Sequence, residues 1–204
     1  MPIRGTMGHD PILAFVDCGI GSNSGASDGS GYTQPHARRE VVISGNRVKT
    51  VDVHAHCIVP EAAQLIDHPL EAPGLLWSNV GERLAQMDQS GVDVQALSIN
   101  PYWYRTEHDA VAKLIQVQNE ALVECCASHQ DRFTAFATAA LQFPDLAVEQ
   151  VEHAVRELGF RGIGVGGSVA GDDLANPRFH PFWACLLYTS PSPRDATLSR
   201  MPSS

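Results

Sequence analysis

Between residues 50 and 166, short β-branched runs alternate with amphipathic helical stretches, and this alternation restricts the fold more than any other feature of the chain. Thr50 to Ala55 reads as a strand. Asn79 to Ser90 reads as a helix, with Val80, Leu84 and Met87 on one face and Gly91 as its stop. Asp93 to Ile99 reads as a second strand. Glu107 to Ser128 follows as a long helix with Val111, Leu114, Ile115, Leu122 and Cys126 inward, and Arg132 to Thr138 is a third strand. In Pro144 to Leu158 the proline suits a first helical turn, Val151, Ala154, Val155 and Leu158 recur at i, i+3, i+4 and i+7, and Gly159 ends the helix. Gly162 to Gly166 reads as a fourth strand. An α/β order of this kind implies parallel strands joined by right-handed helical crossovers. A doubly wound sheet and a (β/α)8 barrel both satisfy it. A complete barrel needs about 250 residues. Four strands are used by residue 166 of 204, so the barrel reading means roughly its first half.

The flanks differ in composition. Residues 1–49 read as an irregular leader, with a Gly/Ser-rich linker from Gly19 to Gly31 and a small hairpin around Ser44-Gly45-Asn46. Residues 50–184 are the folded body. Residues 185–204 show no helical or strand period and crowd Ser, Pro and Arg together. Their stretches CLLYTSPSPRD and SRMPSS resemble translated sequencing-adapter DNA, so a non-native tail is expected there, with the natural sequence stopping near Ala184.

Lys plus Arg is 14 and Asp plus Glu is 23, a net charge of −9. That balance argues against nucleic acid as a partner, because phosphate binding needs a basic footprint. No apolar stretch approaches the roughly 20 residues of a membrane span, and the N-terminus makes a poor secretory signal. Five cysteines, with Cys125 and Cys126 adjacent, do not form a disulfide framework. A reducing, cytoplasmic location is the expectation.

The sharpest chemical feature is Val51-Asp52-Val53-His54-Ala55-His56. Regular strand alternation would put His54 and His56 on one face, with Asp52 below them. A polar column on a strand expected to be buried is costly unless something uses it. Two imidazoles at i and i+2 can hold one metal ion, and neutral imidazole suits Zn²⁺. The competing reading is a pair of histidines satisfied by backbone or water. A catalytic zinc normally has three protein ligands, so this pair is not a full site.

Taken with Met87 to Ser98 (MDQSGVDVQALS), Asp131 to Gln150, Glu157 to Val169 (ELGFRGIGVGGSV) and Phe179 to Trp183 (FHPFW), the VDVHAH strand resembles the amidohydrolase-2 group. The similarity is to its non-oxidative decarboxylases, such as the enzyme acting on aminocarboxymuconate semialdehyde, and it covers residues 51–184. The resemblance implies a metal-dependent (β/α)8 TIM barrel of which about the first half is present. It implies His54 and His56 as metal ligands, Zn²⁺ as the cofactor, and a small unsaturated or aromatic carboxylic acid as the substrate. Hydrolysis of a C–N, ester or lactone bond is the alternative activity. It places a further ligand histidine, a ligand aspartate and a catalytic histidine beyond Ala184, and His180 is not the missing ligand. A homodimer is possible for the full-length protein, and the chain as given is expected to be an inactive fragment. The arginines that grip carboxylates in the namesake decarboxylase have no counterpart in Cys57 to Ser78, which contains no Arg or Lys.

Asn100-Pro101-Tyr102-Trp103-Tyr104-Arg105 follows the second strand and would overhang the site. Asn100, Trp103 and Arg105 are candidate substrate contacts: the aromatics for a planar ring, Arg105 for a carboxylate. Packing of this loop on the barrel rim is the equal alternative. Cys57 falls on the strand face opposite the histidines, and Asp93 reads as a turn residue. His68, His108, His129 and His153 read as solvent-facing.

Overall fold

The computed structural model describes residues 13–16, 38–69, 76–77 and 79–189. Strand β1 (Ala14–Val16) is followed by a two-stranded hairpin, β2 (Val42–Ile43) and β3 (Asn46–Arg47). Strand β4 (Val51–Ile58) carries the histidines and leads into a short helix α1 (Pro60–Gln64) and strand β5 (Leu76–Trp77). Then come α2 (Val80–Ser90), β6 (Val94–Ser98), α3 (His108–Ser128), β7 (Phe133–Ala135) and α4 (Pro144–Arg156). A small hairpin β8 (Ser168–Val169) and β9 (Asp172–Asp173), a 3₁₀ turn at Pro177–Phe179 and α5 (His180–Thr189) complete the described chain.

The main sheet runs β5-β1-β4-β6-β7. The segment β4-β6-β7 is parallel, as the alternation with helices requires. Asn79 caps α2 by accepting from the Glu82 N–H at 2.8 Å, and Gly91 ends it at φ +76°. A Cβ on Gly91 would also stand 3.3 Å from the Arg39 carbonyl oxygen, so this position needs glycine twice over.

Both α2 and α3 lie against the same face of the sheet. Arg83 of α2 meets Gln95 of β6 there, and the Cys125 thiol of α3 lies close enough to Cys57 of β4 to influence its ionisation. Helices sharing one face are what a barrel requires, whereas a doubly wound sheet would divide them. Met87, Leu97, Leu114, Ile115 and Leu122 form the centre of this layer, each no more than 1% exposed. Among the buried α3 side chains, Asn119 replaces a strand neighbour. Its Oδ1 accepts from the Thr138 N–H at 2.8 Å and its Nδ2 donates to the Thr138 carbonyl at 3.1 Å.

Three expectations need correction. The leader is not irregular throughout: Leu13, Ala14 and Phe15 are buried, and β1 pairs antiparallel with the end of β4. A short apolar run suffices for a strand once a sheet edge is available to it. The fourth strand is reduced to a parallel bridge between Ala137 and Ile163, because a glycine-rich segment offers few side chains to pack. Helix α5 runs through Thr189, so the absence of helical period from residue 185 onward did not prevent a helix there. The Gly19–Gly31 linker and residues 190–204 lie outside the described residues. The hairpin forms where expected, with Ser44 (φ 50°) and Gly45 (φ 78°) both left-handed, as a type I′ turn demands. Among the described residues no helix is long and apolar enough to cross a membrane.

Asp93 is a junction, not a plain turn residue. Its Oδ1 accepts from Arg38 and from Arg47, each at 2.6 Å, and its Oδ2 accepts from the Thr50 N–H at 2.8 Å. Arg132 bonds the Asp93 carbonyl at 3.0 Å and the Asp88 carboxylate at 2.8 Å. The strap from Arg38 to Thr50 is thereby fastened to the amino end of β6. The Thr50 N–H, then Arg47 and Arg38, hold the Asp93 carboxyl below the ordinary carboxylate range, against the opposing effect of burial.

Two outcomes follow. A lowered folded-state pKa contributes stability that is fully present above the unfolded value near about 3.9 and is lost as pH falls through the folded value. Urea unfolding of Asp93→Asn should therefore show a flatter pH dependence below about pH 4 than the parent. Identical slopes would show that this network does not set the acid limit. Asn119→Leu strands both backbone groups of Thr138 and should lower stability by about 2 kcal/mol or more, read from the same titrations at neutral pH.

Candidate metal centre

The ladder between β4 and β6 pairs Asp52 with Gln95 and Ala55 with Leu97, so Val53 and His54 together face the single residue Ala96. This is a β-bulge, and it breaks the expected alternation. Paired residues on neighbouring strands point to the same face. Asp52 therefore shares a face with Gln95, Leu97 and Ala55, while His56 shares the other with Ser98. The expectation that Asp52 sits below the histidines is corrected: the bulge sends it to the helix-covered side. There its Oδ2 accepts from Gln95 Nε2 at 2.9 Å, and Gln95 Oε1 accepts from Arg83 Nε at 2.6 Å. The other carboxylate oxygen reaches back along the strand and accepts the His54 N–H at 2.9 Å.

On the open face His54 and His56 converge. Their Nε2 atoms are 3.0 Å apart, and the rings meet edge to face with centroids 4.6 Å apart. Two nitrogens each about 2.1 Å from one ion lie about 3.0 Å apart at a right angle and about 3.4 Å at the tetrahedral angle. The donor set and spacing therefore fit one divalent ion shared at Nε2. The Ser98 hydroxyl, at the end of β6, lies 3.1 Å from His56 Nδ1 and orients that ring from behind, as outer partners of ligating histidines do. The pair occupies the carboxyl half of a parallel strand, the end at which α/β barrels carry their chemistry. Among the described residues no third His, Cys, Asp or Glu joins it.

The loop after β6 is placed as follows. Asn100 is exposed and follows the carboxyl end of β6, and its carbonyl accepts the Tyr102 N–H at 2.9 Å. Arg105 is exposed. Trp103 is corrected from ligand contact to core: it is fully buried, with its indole N–H on the Ala139 carbonyl at 3.0 Å. An indole that carries this much apolar surface is better satisfied inside the core. Tyr104 is likewise buried, and its hydroxyl accepts the Gly166 N–H at 3.1 Å. A Cβ on Gly166 would lie 2.9 Å from Pro101 and 3.1 Å from Tyr104, so glycine lets these two rim loops touch.

Cys57 is buried on the helix side as expected, and desolvation pushes its thiol well above the ordinary range. His68 is half-buried and stacked on Tyr102 with centroids 4.1 Å apart, so it is not simply solvent-facing. His129 is half-buried against Phe133, whereas His108, His153 and His180 are exposed. A cavity of about 620 Å³ opens between α3, the amino end of β7 and Phe160, away from the histidines. Ser98, Gln95 and Arg83 escape the sequence reading. Their only signal is polarity at positions where an apolar residue would be ordinary.

Several known proteins are similar to this chain. A gamma-resorcylate decarboxylase from Rhizobium sp. (strain MTP-10005) is 35% identical over 152 residues, 65% of this chain and 45% of that protein. The solved 2,6-dihydroxybenzoate decarboxylase from Rhizobium superposes with a TM-score of 0.55 at 27% identity, over 73% of this chain and 52% of the other. The 5-carboxyvanillate decarboxylase from Novosphingobium aromaticivorans, solved with manganese and 4-hydroxy-3-methoxy-5-nitrobenzoic acid, gives 0.51 at 28% identity over 54% and 32%. The chain thus spans about half the length of the curated relatives it matches. Its parallel strands and crossovers are part of an amidohydrolase-type TIM barrel. The family model described as Amidohydrolase matches residues 51–187, and the chain belongs to that amidohydrolase family.

Proposed function

We propose that the protein to which this chain belongs is a metal-dependent, non-oxidative decarboxylase of a small aromatic carboxylic acid, with His54 and His56 holding the ion. The observation that carries this reading is the 3.0 Å approach of the two Nε2 atoms on the open face of a parallel sheet. Relatives that decarboxylate aromatic acids support the reaction class. Imidazole donors suit zinc, which we favour, although manganese is the ion in the carboxyvanillate enzyme. When bound, the ion polarises a substrate oxygen or acidifies a water.

The chain's own residues have separable tasks. His54 and His56 supply neutral nitrogen donors, and Ser98 fixes the ring of His56. Asn100 and Arg105, both exposed on the loop after β6, are proposed to meet the substrate, with the guanidinium of Arg105 facing a carboxylate. Protonation of the carbon that loses CO₂ needs a general acid, which this reading places outside residues 50–184.

Metal analysis and turnover of 2,6-dihydroxybenzoate, in this chain and in a form extended by the missing barrel half, test the proposal. The extended form should hold about one zinc or manganese per chain and release CO₂. His54→Ala and His56→Ala should each lose the metal and the activity together. The 204-residue chain alone should not turn over substrate. Full metal content in either histidine variant would end the assignment.

A further inference from the structure

We infer that Asp52 is a positioning residue for His54, held from the far side of the sheet by Gln95 and Arg83; this rests on the reading of His54 and His56 as metal ligands. The bonds run in one direction. Arg83 Nε–H donates to Gln95 Oε1 at 2.6 Å, Gln95 Nε2–H donates to Asp52 Oδ2 at 2.9 Å, and Asp52 Oδ1 accepts the His54 N–H at 2.9 Å. A guanidinium has only donors, so the Gln95 amide must turn its oxygen to Arg83 and its NH₂ to Asp52. Each group thus sets the orientation of the next.

Burial gives the line its rigidity. Arg83 is 4% exposed and Gln95 6% exposed, and the Arg83 guanidinium lies 5.5 Å from the ring centroid of Phe15. A guanidinium buried this far is costly to keep without hydrogen-bond acceptors, and Gln95 Oε1 is one of them.

The far end of the line is the bulge. A bulge adds a residue that the ladder leaves unpaired, and at His54 the Asp52 carboxylate supplies the acceptor. Without that acceptor the strand can relax towards regular alternation. Such a change would carry Asp52 to the face of the histidines and shift the backbone that carries His54, so the aim of its ring at His56 depends on the Asp52 bond. Helix α2 is thereby coupled to the metal face through three side chains and one backbone amide.

The test uses the 204-residue chain and its Asp52→Ala, Asp52→Asn and Gln95→Met variants, with Zn²⁺ as the probe. Asparagine keeps an oxygen for the His54 N–H, whereas alanine removes it. Zn²⁺ affinity by calorimetry should fall about tenfold in Asp52→Ala, stay within about threefold in Asp52→Asn, and fall to an intermediate degree in Gln95→Met. Amide hydrogen exchange at His54 should be at least about tenfold faster in Asp52→Ala while the β6 amides stay as protected as in the parent. A folded Asp52→Ala chain with parental affinity and parental His54 exchange overturns the inference. Should Asp52→Ala not fold, parental values of both readouts in Gln95→Met overturn it. Should the two-ligand parent chain bind no Zn²⁺, the exchange rates alone decide whether Asp52 positions His54, and the metal reading is decided by the metal content of the extended form.

Discussion

One extra residue in a strand governs this structure. In a regular strand Asp52, His54 and His56 would share a face, and a carboxylate would sit beside the two imidazoles. The bulge at Val53 and His54 separates them. It leaves two imidazoles on the open face and the Asp52 carboxylate on the helix-covered side, where Gln95, itself held by Arg83, donates to it. After the separation the imidazoles converge, and the carboxylate accepts the backbone N–H of His54.

The two ends of the parallel sheet divide the work. At the amino end Asp93 gathers Arg38, Arg47 and the Thr50 amide, while Arg132 ties its carbonyl to Asp88. This fastens the strap that feeds directly into β4 and so defines where the histidine strand begins. At the carboxyl end the Ser98 hydroxyl lies against the His56 ring, and the loop from Asn100 to Arg105 follows β6. Charge concentrated at the first end serves attachment, and the second end carries the histidine pair.

Much was legible in advance because it depends on local periodicity. The capped helix after Asn79, the long α3 and the Pro144 helix follow from apolar spacing, an N-cap side chain, a proline first turn and glycine stops, all of which act within a few residues. The His-x-His pair was legible for the same reason, since residues two apart stay on one side of a strand. The family match spans residues 51–187. Less legible were β1, whose short apolar run becomes a strand only when the end of β4 offers it unpaired backbone, and the glycine-rich fourth strand, which shrinks to one bridge.

What the sequence by itself determined is therefore the alternation of strands and helices, the parallel crossovers, and the presence of two adjacent imidazoles at a strand's carboxyl half. What only the tertiary structure decided is the face on which Asp52 lies, the burial of Trp103, and the roles of Ser98, Gln95 and Arg83. The reason is physical. A bulge is a property of two paired strands, not of one, and hydrogen bonds between residues 43 and 42 positions apart, as in Asp52 with Gln95 and His56 with Ser98, exist only after the chain has closed on itself.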